Sequence, residues 1–202
     1  MATRILALLV LTFSLSGCLV ATTAGVEGAS VASQERSVSD ASSDARIRLN
    51  IDDRLFKQNV DLFRAVDTTV TEGRVLLTGN VAEPEDRVKA SELVWQVPGV
   101  RQLMNNLEVR NDTGAGNYAK DSWIIAKLRT QLIWAKNVIS INYTIDCVNR
   151  AVYLMGIAQD QMELDRVIKL ARETDGVKDV ISYVRLKNDL PSPFPVEKST
   201  TP

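Results

Sequence analysis

The chain has 202 residues, 24 Lys and Arg against 25 Asp and Glu, a formal net charge of −1 and no histidine. That balance offers no global basic field of the kind that draws nucleic acid, and the lack of histidine excludes His-based acid–base and triad chemistry. The length admits one medium domain or two small ones. An internal repeat selects two, because Gly73-Arg74-Val75-Leu76-Leu77-Thr78-Gly79-Asn80-Val81 returns as Arg150-Ala151-Val152-Tyr153-Leu154-Met155-Gly156-Ile157-Ala158. Gly79 and Gly156 are 77 positions apart (156 − 79 = 77). At that offset Ile47 meets Ile124, Leu55 meets Leu132, Leu93 meets Leu170 and Gly99-Val100 meets Gly176-Val177, with no gap from Ile47 to Val109. Such self-similarity at a fixed offset means two copies of one supersecondary unit.

Residues 1–17 read as a secretory signal, with Arg4 at the positive end and residues 5–13 as the apolar core. The core is shorter than the ~20 residues a spanning helix needs. Leu15-Ser16-Gly17-Cys18 then closes the segment and resembles a bacterial lipobox, against the plainer alternative of an apolar run with an incidental cysteine. The resemblance implies cleavage before Cys18 and acylation of its thiol and new N-terminus. Leu19 stands where an aspartate would resemble an inner-membrane retention signal, which implies the outer membrane, with the chain facing the periplasm. Several acyl chains exceed what stable anchoring requires. Cys147 is the only other cysteine, so no disulfide framework is expected.

Residues 19–43, rich in Ala, Ser, Thr, Gly and Val, read as a flexible tether. Residues 44–57 form the first expected helix, with Ile47, Ile51 and Leu55 on one stripe. Residues 63–70 alternate and lead through a Gly73 hairpin turn into a strand over residues 75–81. Pro84 opens a second helix that runs to about Val97 and stops at Pro98-Gly99. Residues 100–109 then alternate as a last strand, which closes a first unit over residues 44–110. Residues 111–119 join the units, and residues 120–187 repeat the order. Their elements are a helix over 121–136, a strand over 141–147, a turn at Asn149-Arg150, a strand over 152–157, a helix over 162–174 and a strand over 177–186. Asp160 and Glu163 are spaced as a capping pair. Residues 188–202, with Pro191, Pro193 and Pro195, read as a disordered tail. The expected fold class is α/β of the α+β kind: two tandem α-β-β-α-β units, each a three-stranded mixed sheet covered by two helices.

Gly73, Val75, Leu77, Gly79 and Gly99-Val100 in one copy, and Val152, Leu154, Gly156 and Gly176-Val177 in the other, resemble the BON domain, a bacterial periplasmic module. On this alignment Asn149 takes the place of the first glycine in the second copy, a substitution the turn tolerates. With the lipobox, the two copies and the run Asp121-Ser122-Trp123-Ile124, Lys127, Arg129, Gln131-Leu132, the chain resembles dual-BON outer-membrane lipoproteins. The resemblance implies binding of phospholipid, support of outer-membrane integrity and no enzymatic activity.

The residues carry an independent pointer. Arg46, Arg48 and Lys57 of the first opening helix become Trp123, Ile125 and Trp134 in the second. Trp123, Lys127, Thr130 and Trp134 fall on one arc opposite the stripe of Ile124, Leu128 and Leu132. Lys120, Arg129 and Lys136 flank them. Tryptophans ringed by cations suit an anionic phospholipid interface; packing of Trp123 and Trp134 between the units, or against a protein such as an outer-membrane assembly component, are the alternatives. Cys147 lies in an alternating strand with no histidine to activate it and reads as a small buried hydrophobe. Asp52-Asp53 and the acidic run 83–86 lack the loop spacing of calcium sites, and Gly73 and Gly79 flank a strand rather than a phosphate loop, so no metal or cofactor is expected.

Overall fold

The structure, a computed structural model, describes residues 38–110 and 115–189. The signal segment, Cys18, most of the tether, residues 111–114 of the linker and residues 190–202 of the tail lie outside the described residues.

The first unit runs α1 (Val38–Gln58), α2 (Val60–Ala65), β1 (Val66–Thr71), β2 (Arg74–Val81), α3 (Pro84–Trp95), β3 (Gln102–Asn105) and β4 (Glu108–Val109). The second runs α4 (Ala115–Trp134), a 3-10 turn (Ser140–Asn142), β5 (Tyr143–Val148), β6 (Ala151–Ala158), α5 (Gln161–Glu173) and β7 (Asp179–Leu186). In each sheet the middle strand pairs antiparallel with the strand before it and parallel with the strand that follows the next helix, α3 or α5. β3 and β4 are one interrupted strand, since both pair with β2 in the same parallel register (Leu77 with Asn105, Asn80 with Glu108). The interruption seats Leu107 in the core, its N–H held by Asn105 Oδ1.

Several boundaries shift by one or two residues, among them the end of α4 at Trp134, which leaves Lys136 beyond the helix, and four differences go further. α1 starts at Val38, so the last residues of the expected tether are helical, and α4 takes up the end of the expected linker from Ala115. The start of the alternating stretch 63–70 belongs to α2. Asn59 caps that short helix by accepting the Asp61 N–H at 2.7 Å, a local bond that ends α1 and begins a new turn. The expected strand over 141–147 begins only at Tyr143, because Ser140–Asn142 forms the 3-10 turn.

Each unit has its own core on the helix-covered face of its sheet. Ile47, Ile51 and Leu55 of α1 meet Val75, Leu77 and Val81 of β2 and Ala90 and Val94 of α3. Ile124, Leu128 and Leu132 of α4 meet Val152, Leu154 and Ala158 of β6 and Val167 and Ala171 of α5. Gly79 and Gly156 sit at φ 125° and 145°, and a Cβ on either would lie 2.0 Å from the carbonyl oxygen of Ala65 or Asn142. The glycine that recurs in both copies is thus where the backbone entering the first strand of each sheet packs onto the central strand.

The opposite faces of the two sheets pack on each other. Leu76, Met104, Val148, Tyr153 and Met155 form a third buried cluster, with Ile181 and Tyr183 against it. This explains why β2 reads as an unbroken apolar run at Val75-Leu76-Leu77: alternate residues face a helix layer and the other unit's sheet. The layers are helix, sheet, sheet, helix.

Both hairpin turns are tied to the opening helices by a buried aspartate. Asp44 accepts the N–H groups of Glu72 and Gly73 at 2.8 Å each, and Asp121 accepts those of Asn149 and Arg150 at 2.9 and 2.8 Å. The two turn residues have positive φ in each copy: 56° and 71° at Glu72 and Gly73, 51° and 70° at Asn149 and Arg150, the pattern that suits a two-residue hairpin. This corrects the alignment of the turns. The counterpart of Gly73 is Arg150, not Asn149, and Asn149 matches Glu72.

Candidate lipid-facing site

α4 separates two faces. Ile124, Leu128 and Leu132 are buried to 1 % exposure or less, whereas Trp123 is 53 % and Trp134 82 % exposed. Neither tryptophan belongs to the cluster between the sheets and both are exposed, so the inter-unit packing alternative fails for both; that contact is centred on the sheet faces. Thr130 is exposed, and its hydroxyl donates to the Ala126 carbonyl of its own helix at 2.9 Å, which leaves both lone pairs of the oxygen to accept. Lys120 and Lys136 are exposed around this face, whereas Arg129, also exposed, lies on the side of the helix toward Asp146 and does not join them.

Lys127 is in a different situation from the other cations. Its ammonium lies 4.9 Å from the Trp123 ring centroid and is hydrogen-bonded to the Asp175 carboxylate. That bond and the lysine charge hold the Asp175 carboxyl below the usual carboxylate range. Lys127 therefore steadies the Trp123 ring from behind a local ion pair, while Lys120 and Lys136 present the outward charge.

A shallow recess of about 410 Å³ adjoins Trp123, lined by Lys120, Trp123, Ile124, Arg150, Asp175 and Gly176 among others. Arg150 is the functional candidate that sequence reasoning missed. Its Nε donates to the Gly176 carbonyl at 2.7 Å, which fixes the guanidinium at the recess. The signal was present in the repeat: an arginine stands where the other copy has Gly73, at a left-handed turn position where a side chain is unusual. Gly73 itself has no room for one, since an added Cβ would lie 2.6 Å from the Gly99 carbonyl oxygen. The second unit thus gains Arg150 where the first must have glycine, and gains Trp123 where the first has Arg46.

Cys147 is buried, and its thiol approaches Asp121 at 3.5 Å. Burial first, then the Asp121 charge, pushes the thiol up to about 12, which keeps it protonated and unreactive near neutral pH. Among the described residues no group of three His, Cys, Asp or Glu side chains gathers to hold a metal, and no helix is long and apolar enough to cross a membrane.

The BON domain family model matches twice, at residues 43–111 and 120–188. An uncharacterised protein in the gshII 5′ region of Anaplasma centrale is 41 % identical over 146 residues, covering 72 % of this chain and 95 % of its own length. The outer membrane lipoprotein DolP of Haemophilus influenzae is 26 % identical over 176 residues, covering 86 % of this chain and 91 % of its own. The osmotically-inducible protein Y of Escherichia coli is 26 % identical over 153 residues, covering 75 % of this chain and 71 % of its own. With one family match on each of two units built alike down to the aspartate that ties each hairpin, the chain belongs to the BON domain family and carries two copies of the domain.

Proposed function

We propose that this chain is an outer-membrane lipoprotein, anchored through Cys18 and facing the periplasm, whose second BON domain binds anionic phospholipid through α4 and supports envelope integrity. It works by binding, not by catalysis. The observation that carries the reading is the exposure of both Trp123 and Trp134 on a helix whose core stripe is complete without them. Indole rings settle at the boundary of headgroups and acyl chains, and the cations beside them meet phosphates. Lys120, Lys136 and Arg150 would each contribute about 1 kcal/mol near an anionic surface. The likeness to an outer membrane lipoprotein along most of both chains supports the envelope assignment.

Quenching by brominated acyl chains tests it. With vesicles of anionic phospholipid, Trp123 and Trp134 are quenched, whereas Trp95, in the first unit, keeps its emission. Equal quenching of the three rings, or of none, contradicts the assignment to α4.

A further inference from the structure

A second recess, also about 410 Å³, opens between the two units and takes its walls from β1, β2, α4 and β5. That volume lies in the range of small-molecule sites. Three oxygen-bearing side chains converge on it. Asp67 and Thr78 are cross-strand partners of β1 and β2 on the inner face of the first sheet, where side chains stand about 5 Å apart. Asp146 reaches across from β5 and accepts from Thr69, two residues along β1 from Asp67 on the same face.

Two observations indicate that this cluster is incomplete without a ligand. Thr78 is 1 % exposed, lines the recess, and its Oγ1 has no hydrogen-bond partner among the described residues; native structures seldom leave such a group unpaired. The Asp146 carboxyl is also raised above the usual range, by burial and by Asp67, in spite of Arg48 and Arg129 nearby; Asp67 itself is exposed at the mouth of the recess, so the weight falls on Asp146 and Thr78. Of the other charged side chains on the lining, Asp121 has both oxygens committed to the β5–β6 turn, and Arg64 is the single cation. The cluster wants donors.

A divalent metal fits poorly. Two carboxylates and one hydroxyl fall short of the roughly six to eight oxygens that calcium takes, and no three-residue metal cluster exists among the described residues. An alkylammonium group matches better, because it carries three N–H donors and a charge opposite to the carboxylates. We propose that the recess between the units binds a small primary-ammonium compound, its three N–H donors shared among Asp67, Asp146 and Thr78.

The test is a backbone-amide NMR titration of residues 38–189, which hold both cores and the surface between them, with ethanolamine hydrochloride. Ethylene glycol with matching sodium chloride is the neutral control. The proposal predicts saturable shifts at Asp67, Thr78 and Asp146 with ethanolamine and none with the control. Asp67→Asn and Asp146→Asn each weaken binding tenfold or more, equivalent to about 1.4 kcal/mol, and Thr78→Val weakens it while leaving both charges in place. Asp146→Asn keeps an acceptor for Thr69, so loss of binding there is not loss of fold. Competition by a soluble short-chain phosphatidylethanolamine would assign the amine to a lipid headgroup, and failure to compete would assign it to a free metabolite. Shifts that never saturate, that appear equally with ethylene glycol, or that persist in both carboxamide variants overturn the proposal. None of these outcomes bears on vesicle binding by α4, so the two sites stand or fall separately.

Discussion

Thr69 Oγ1 donates a 2.9 Å hydrogen bond to Asp146, and the two residues are the same position of the repeat, 77 residues apart. Asn106 and Tyr183, also 77 apart, bond to each other in the same way. Other contacts come in reciprocal form: Glu72 pairs with Arg185 at 3.6 Å, and their counterparts Asn149 and Glu108 hydrogen-bond at 2.8 Å. Self-paired positions and swapped pairs are the marks of a two-fold isologous interface. The two units meet as the subunits of a symmetric dimer do, inside one chain.

Leu76 sits in the centre of that contact at 1 % exposure and belongs to neither unit's own core. Leu76→Asp places an unpaired charge there, at a cost of about 3–5 kcal/mol. The expected result is separation of two folded units: a larger radius of gyration by solution scattering, with the amide shifts of Ile51 and Leu128 retained. Loss of those shifts would instead report collapse of a unit's own core, to which residue 76 does not belong.

Gly79→Ala and Gly156→Ala test the packing of the entering backbone onto the central strands. Each would force a carbonyl oxygen away from an added carbon placed 2.0 Å from it, at a φ that L residues rarely adopt. The expected loss is about 4 kcal/mol or more in either unit, measured by urea unfolding.

Asp44 and Asp121 hold the hairpin turns through paired charge-assisted bonds. Asp44→Ala and Asp121→Ala should each cost about 3 kcal/mol or more, since two bonds to a carboxylate are lost. Asp121→Ala has a second expected effect. With the Asp121 charge gone, the Cys147 thiol falls from about 12 while its burial still holds it up, and alkylation of the folded protein at about pH 8, read by mass spectrometry, becomes faster than in the parent.

Burial raises the carboxyls of Asp52 and Asp146 above their ordinary value of 3.8. The folded state therefore holds more protons than the unfolded state between that value and the raised ones, and stability falls as pH rises through this window. Asp146→Asn removes one of these groups while keeping the Thr69 bond. It should raise the thermal midpoint at about pH 7 and leave it nearly unchanged at about pH 3, where the parent carboxyl is protonated in both states.

The repeat made most of the fold legible, because a strand and helix pattern that recurs at a fixed offset is read twice. Val75, Leu77, Val152 and Leu154 showed the helix-facing sides of both sheets. Leu76 and Tyr153 are as apolar, yet nothing in a single strand says whether its second face meets solvent, a partner or a sister unit. α2 escaped because six residues are too few for a helical period, and only the Asn59 cap marks it. At the candidate site the exposed tryptophans were legible as residues left over from a complete core stripe. Arg150 was not, because its role depends on a turn register that motif matching shifted by one position. The commitment of Lys127 to Asp175 was hidden for a simpler reason: the partner lies 48 residues further along the chain.

The central claim is that α4 binds anionic phospholipid, and co-sedimentation of residues 38–189 with vesicles tests it most directly. Without Cys18 the protein has no acyl anchor, so any pelleting reports on the folded units. The account predicts binding to anionic vesicles, little to neutral ones, weakening with salt, and loss in a folded Trp123→Ala, Trp134→Ala double variant. Failure of the folded parent to pellet with anionic vesicles, or undiminished pelleting of the double variant, would contradict it.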